Sequence, residues 1–296
     1  MKPFECITAR DAGHAIELLV RYGADARLLA GGTDLLVDIR NGSREPRVLV
    51  DLSRAPDLKR LELADDLLVI GAMVTHTEIM GSRLVRELCP ALAVAAHSIG
   101  AIQTRNLGTI GGNLANAVPS MDLGPALLAL DAQLTIAGPM GLRREPLTTV
   151  FTAPRTTTLS ATELILDVTI PAEGFHKPMA FLKFGLRKGQ ALALVNVAAG
   201  FWPHGSEPVF RATRIALGAV APTVIRSAEA ERFLDQRVID PESMTAAGEI
   251  AAGEATPISD FRASADYRRE LIAVLTSRAL ESAWRRARAE PARKSA

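Results

Sequence analysis

Two glycine pairs, Gly31-Gly32 and Gly111-Gly112, constrain this chain more than any other feature, because residues without Cβ accept backbone conformations and close approaches that others cannot. The first pair follows a short apolar segment, Arg27 to Ala30, read as a strand, and precedes Thr33-Asp34 and a helical stretch from Leu35 to Arg40. Backbone N–H groups there can approach a charged group such as a pyrophosphate, with the Thr33 hydroxyl and the helix N-terminus adding to the attraction. The same residues also make a tight strand-to-helix turn with Thr33 or Asp34 as N-cap, and the pair alone leaves both readings open. Asp34, being acidic, is expected to cap the helix rather than touch phosphate. Neither G-x-G-x-x-G nor a Walker A spacing is present.

The second pair lies in Thr109-Ile110-Gly111-Gly112-Asn113, after Gln103-Thr104-Arg105-Asn106 and before a helix expected to open at Asp122. Gly100 to Ser120 has weak periodicity of either kind and reads as a long glycine-rich loop, a type that is usually functional inside compact domains. Thr109 and Asn113 offer side-chain hydrogen bonds. Asp122 can accept from a ribose or ribityl hydroxyl, and its plain alternative is a helix N-cap. Two such loops supply donors from separate chain segments, as a dinucleotide with two phosphates and several hydroxyls requires.

The rest of the 296 residues reads as α+β. Thr8 and Asp11 resemble a capping box before a helix that runs from Ala12 to a stop at Gly23. Val48 to Leu52 reads as a strand, and Leu58 to Leu63 pairs with Leu67 to Ala72 as a hairpin across Ala64-Asp65-Asp66. Helices are expected at Glu78 to Leu88, Ala91 to Ser98 and Asp122 to Leu130, and strands at Ala132 to Ile136 and Glu163 to Ile170. The pattern relaxes around Glu173 to Pro178, so residues 1–175 form one domain and 176–289 a second, with a frayed tail at 290–296. The second domain holds strands at Leu192 to Trp202 and Arg211 to Leu217, then helices at Ala228 to Asp235, Pro241 to Ala252 and Ala265 to Arg288.

Composition removes several function classes. Lys and Arg number 34 against 33 acidic residues, so no global field draws the chain to nucleic acid or an anionic membrane. Cys6 and Cys89 are too few for a disulfide framework or for the four ligands of an iron–sulfur cluster, and the five histidines include no pair at metal-ligand spacing. No apolar run approaches the ~20 residues of a membrane span, and the N-terminus lacks a signal-peptide layout. The expected location is cytoplasmic, with no metal and no membrane insertion.

At the two glycine signatures the chain resembles the flavin-binding medium subunit of the xanthine dehydrogenase and aerobic carbon monoxide dehydrogenase family of molybdenum hydroxylases. The matching residues are Leu28-Leu29-Ala30-Gly31-Gly32-Thr33-Asp34-Leu35 and Thr109-Ile110-Gly111-Gly112-Asn113. They continue through Pro119, Asp122, Pro125 and residues 126–132, then residues 181–189 and 264–269. The resemblance implies a PCMH-type FAD-binding domain of two α/β subdomains with the cofactor in a cleft. A smaller α+β domain, an antiparallel sheet plus helices, follows. By family position, residues 28–35 and 109–113 hold the pyrophosphate and its surroundings, Asp122 meets a hydroxyl of FAD, Ile99 and Ile165 pack near the cofactor, and Lys183 contacts the isoalloxazine end.

The resemblance further implies a small 2Fe–2S subunit and a large molybdenum-cofactor subunit as partners, in a dimer of heterotrimers. Electrons would pass from their clusters to FAD here and on to an external acceptor, with no general base needed on this chain. Asn116 departs from the family, where His or another polar residue is common. A cysteine-rich insertion carried by related benzoyl-CoA reductase subunits is missing. A stand-alone FAD oxidoreductase and a non-catalytic nucleotide-binding scaffold of the same fold are the alternatives.

Overall fold

The computed structural model describes residues 2–187, 189 and 192–289. Lys188 and the tail expected to fray, residues 290–296, lie outside the described residues. Backbone packing divides the chain into two compact units interleaved in sequence: Met1–Ile79 with Gly100–Val118 and Ala132–Ala172, and Met80–Ile99 with Pro119–Asp131 and Glu173–Ala296.

The first unit begins with β1 (Glu5–Thr8), α1 (Ala12–Tyr22), β2 (Ala26–Leu29), α2 (Leu35–Arg40) and β3 (Val48–Asp51). The strands form a parallel sheet in the order β1-β3-β2, so the apolar β3 sits in the middle. Helix α1 buries Ala12, Ala15, Leu18 and Leu19, spaced to fall on one helical face, in a core with Val48 and Val50. Asp11 caps it, Oδ1 accepting from the His14 N–H at 2.7 Å, and Asp57 Oδ2 takes the Ala12 N–H at 2.9 Å, while Thr8 closes β1. The expected Thr8–Asp11 box is therefore not made. A real capping box sits at Thr75 and Glu78: the Thr75 N–H donates to Glu78 Oε2 (2.7 Å) and the Glu78 N–H to Thr75 Oγ1 (3.2 Å), starting α3 (His76–Gly81).

A five-stranded antiparallel sheet completes this unit in the order β4 (Leu61–Ala64), β5 (Leu67–Gly71), β10 (Leu164–Pro171), β6 (Gln133–Gly138), β7 (Gly141–Pro146). The β4–β5 hairpin turns through Asp65 and Asp66, both at positive φ (48° and 59°), as a tight hairpin turn with right-handed twist demands. Gly100 to Ser120, expected to be irregular, instead carries α6 (Ile102–Leu107) and α7 (Ile110–Asn116). Strand β7, the short helix α9 (Leu147–Val150) and the small hairpin β8 (Phe151–Ala153) with β9 (Thr156–Thr157) had no clear sequence signal.

The second unit contains α4 (Arg83–Leu88), α5 (Pro90–His97) and α8 (Leu123–Ala129), then the antiparallel meander β11 (Met179–Phe184), β12 (Val195–His204), β13 (Val209–Gly218), β14 (Ile225–Arg226). The helix expected over Glu78–Leu88 is thus two helices, divided where the Ser82 hydroxyl accepts from the Val85 N–H (3.3 Å) and caps α4. Helices α10 (Ala228–Leu234), α11 (Pro241–Glu254) and α12 (Ala265–Ala289) follow. Val195, Val197, Ala199 and Phe201 alternate along β12 into a core shared with Ile272, Leu275, Ala279 and Leu280 of α12. By the same alternation Asn196 points to the other side of the sheet, where α8 packs on β12 and β13. The architecture is α+β, as expected.

Candidate functional site

In the first unit the chain turns from β2 into α2 through Gly31 and Gly32. Gly32 lies at φ +69°, a conformation that favours glycine. Gly31 is pressed against another backbone: a Cβ there would sit 1.8 Å from the Leu107 carbonyl oxygen and 3.0 Å from Gly108 Cα. The missing side chain thus serves chain-to-chain packing, a different reason from the ligand approach inferred from sequence. The backbone N–H groups of Gly31, Gly32, Thr33 and Asp34 donate to no acceptor among the described residues. Asp34 stands at the N-cap position but makes no capping bond; it accepts from the Thr33 hydroxyl at 3.2 Å, which corrects its expected role. Leu28 packs into the core, while Leu29 and the first α2 residue, Leu35, are half-buried.

The second glycine pair lies inside the first turn of α7. Thr109 is its N-cap, the hydroxyl accepting from the Gly112 N–H at 3.1 Å. The Ile110, Gly111 and Asn113 N–H groups donate to the carbonyls of Val74 (3.0 Å), Ala72 (2.9 Å) and Thr109 (2.9 Å). These donors are already satisfied by the protein. What remains is the Asn113 side chain, whose Oδ1 is buried with no hydrogen-bond partner among the described residues. A Cβ on Gly111 would lie 2.6 Å from that of Ala72, whereas one on Gly112 would meet only Thr109 Oγ1 (3.1 Å) and, at 3.8 Å, the Ala30 Cβ. The two glycine segments therefore adjoin, Gly31 against Leu107–Gly108 and Ala30 against Gly112.

His76 anchors this junction, its N–H donating to the Gly108 carbonyl at 3.0 Å. Burial, with the Arg105 charge adding to it, pulls its imidazole down to about 4, so it is neutral at pH 7. Ile165 lies buried in β10, paired with Ile136. The divergent Asn116 accepts from the Arg155 guanidinium at 3.3 Å.

The second unit builds a polar row across its sheet. Lys183 of β11 pairs with Asn196 of β12, which pairs with Gly218 of β13. Lys183 Nζ donates to Asp122 Oδ2 at 2.5 Å and to the Ser98 carbonyl, just past the end of α5, at 3.1 Å. Asn196 Nδ2 donates to Asp122 Oδ1 (2.9 Å) and to the Met121 carbonyl (3.2 Å). Asp122 occupies the N-cap position of α8 with helical backbone angles and no capping bond, so the plain reading of this residue does not hold. Burial pushes its carboxyl up, against the pull of the Lys183 ammonium and the Asn196 amide. Ile99 is buried just after α5.

Asn196 and Gly218 were absent from the sequence-based site. The signal for Asn196 was there, a single amide inside the apolar run Leu194 to Ala199. Cys89 is buried and its thiol is pushed up to about 12, which leaves no nucleophile for attaching a group there. Among the described residues no group of His, Cys, Asp and Glu could hold a metal ion, and no helix is long and apolar enough to cross a membrane.

Residues 2–173 match the family described as the FAD binding domain in molybdopterin dehydrogenase, and residues 180–283 match the CO dehydrogenase flavoprotein C-terminal domain. The chain is 32% identical to the carbon monoxide dehydrogenase medium chain of Hydrogenophaga pseudoflava, over 96% of its own length and 98% of that protein. It is 31% identical to the xanthine dehydrogenase FAD-binding subunit of Escherichia coli O157:H7, covering 91% and 92% of the two chains. A solved structure of the Hydrogenophaga pseudoflava carbon monoxide dehydrogenase, in a form lacking the Mo-pyranopterin moiety, superposes with a TM-score of 0.91 at 33% identity, over 97% of this chain and 99% of that one.

Proposed function

The chain belongs to the family of FAD-binding domains of molybdopterin dehydrogenases, and on that premise we propose that it is the electron-transfer subunit of a heteromeric molybdenum hydroxylase. In this reading it accepts electrons from 2Fe–2S clusters of a small partner subunit and passes them to an external acceptor, while a large molybdenum subunit oxidises the substrate. A cytoplasmic dimer of such heterotrimers, and a division of this chain into modules at residues 175 and 176, belong to the same proposal.

The observation that carries the site assignment is the set of unused polar groups at the adjoining glycine segments. The N–H groups of Gly31, Gly32, Thr33 and Asp34 have no acceptor among the described residues, and buried Asn113 Oδ1 has no partner. Clustered N–H donors suit the oxygens of a pyrophosphate, and an amide oxygen suits a hydroxyl or amino donor, so the residues present fit FAD. Residues 28–35 bear the pyrophosphate, and Thr109, Ile110, Gly111 and Gly112 shape the support that presents Asn113. Ile165 supplies an apolar wall.

In the second unit Asp122 accepts from an FAD hydroxyl, Lys183 orients that carboxylate and meets the isoalloxazine end, and Ile99 packs beside the cofactor. When bound, FAD supplies the exchange between one-electron and two-electron transfer. The protein's part is to hold the cofactor, fix its direction and exclude water.

Purifying the native complex and measuring FAD, iron and molybdenum together tests the proposal. On separating the chains, FAD is expected to remain with this one while iron and molybdenum leave with the others. A chain that purifies alone and turns over a small substrate would be a stand-alone oxidoreductase, and one without flavin a scaffold.

A further inference from the structure

The row Lys183–Asn196–Gly218 contains a residue with no part yet in the proposed site. Asn196 has no exposed surface, and a fully buried amide is unfavourable unless its groups are paired. Its pairing is one-sided: both bonds made by Nδ2 go to the start of α8, at Met121 and Asp122, while Oδ1 has no hydrogen-bond partner among the described residues. An apolar side chain of similar volume would fill this place without an orphaned oxygen, so packing alone does not call for asparagine. The neighbouring strand is adapted to it. A Cβ on Gly218 would sit 2.2 Å from Asn196 Oδ1 and 2.9 Å from Pro125 Cγ, so the glycine makes room both for the amide and for α8 above it.

The pattern of donors is also specific. Asp122 turns neither oxygen to the N–H groups of its own helix; Oδ2 takes the Lys183 ammonium and Oδ1 the Asn196 amide. Lys183 alone would let the carboxylate rotate about its Cβ–Cγ bond, because an ammonium is a point charge with rotatable donors. The Asn196 amide on Oδ1, together with the Ser98 hydroxyl that also bonds the carboxylate, removes that freedom.

We propose that Asn196 is a positioning residue for FAD, its amide fixing the Asp122 carboxylate in the orientation that receives a cofactor hydroxyl, with Gly218 reserving the space in which it does so. This rests on the reading that Asp122 touches FAD. Asn196 itself makes no contact with the cofactor; it acts through Asp122.

A double-mutant cycle on the full chain, titrated with FAD, tests this. Asn196→Ala is expected to weaken FAD binding about tenfold, as loss of one hydrogen bond to a charged acceptor does, and to have no further effect on affinity in an Asp122→Ala background. A purely structural asparagine would lower affinity equally in both backgrounds. Gly218→Ala, which displaces the amide without deleting a polar group, is expected to weaken FAD binding in the same direction and keeps the test open if Asn196→Ala does not fold. The inference is overturned if Asp122→Ala loses FAD while Asn196→Ala and Gly218→Ala bind it as the unaltered chain does, or if the Asn196→Ala and Asp122→Ala effects simply add. Full FAD affinity in Asp122→Ala would take down the site reading and this inference together.

Discussion

Gly31 and Gly112 carry the same letter in the same kind of motif, yet their surroundings predict opposite responses to a single methyl group. At Gly31 an added Cβ meets a backbone carbonyl at 1.8 Å, which can be relieved only by separating the two glycine segments. Gly31→Ala is therefore expected to destabilise the chain by about 3 kcal/mol, the upper range for overpacking. At Gly112 the nearest atom is the Thr109 hydroxyl at 3.1 Å, so a disturbed cap of about 1 kcal/mol is offset by the better helix propensity of alanine, also about 1 kcal/mol. Chemical denaturation of both variants checks this, and equal losses would refute the packing account. The cysteines differ as sharply. Cys6 is exposed, whereas Cys89 is buried with its thiol pushed up to about 12. Native chain treated with an alkylating reagent at pH 8 should be modified at Cys6 only, with Cys89 reacting after unfolding; mass spectrometry of the peptides reads the result.

At the scale of elements, α12 is tied to its surroundings by one buried guanidinium. Arg268 Nη1 donates to the Leu194 carbonyl at 2.7 Å, next to the start of β12, and Nη2 to Asp260 Oδ1 at 3.0 Å. Arg268→Ala leaves that carbonyl without its charged donor, while Asp260 keeps the Arg262 guanidinium and the Arg262 and Ala263 N–H groups, and is expected to cost about 2 kcal/mol, read as a lower denaturation midpoint. A loss below about 0.5 kcal/mol, typical of neutral surface substitutions, would contradict the tie. How well elements could be read from sequence followed how much of each was decided locally. Helix α1 and the β4–β5 hairpin carry their own periodicity and end signals, and both were legible. Helix α7 was not, because its two glycines are poor helix formers and its first turn is anchored by bonds to Val74 and Ala72, distant in sequence. The same distance hid the partners of Asn196, which lie at Met121 and Asp122 just before α8. The residues of the glycine signatures were visible throughout; which of their N–H groups remain unused was decided by tertiary bonds that no spacing rule records.

For the molecule as a whole, the buried imidazole of His76 sets a pH dependence of stability. Its value in the folded chain is about 4, against 6.5 when unfolded. Between these limits the unfolded chain holds the proton more readily, so acidification favours unfolding; the contribution is intact above pH 6.5 and gone below about 4. A shift of this size corresponds to about 3 kcal/mol. Glu163, drawn down to about 2 chiefly by its bonds to the Arg143 guanidinium, loses its contribution below its ordinary value of 4.5. Lys177, pulled down to about 8 mainly by burial, is already protonated through the His76 window. Asp122, pushed up by burial, gains stability on acidification over an overlapping range, so raw melting curves mix two opposite slopes. The difference between the unaltered chain and His76→Gln removes that overlap, because Asp122 is common to both. That difference in unfolding free energy is expected to shrink by about 3 kcal/mol from pH 7 to pH 4. A difference independent of pH would mean that His76 is open to protons in the folded state, and that the packing beneath the second glycine pair is looser than its buried surroundings require.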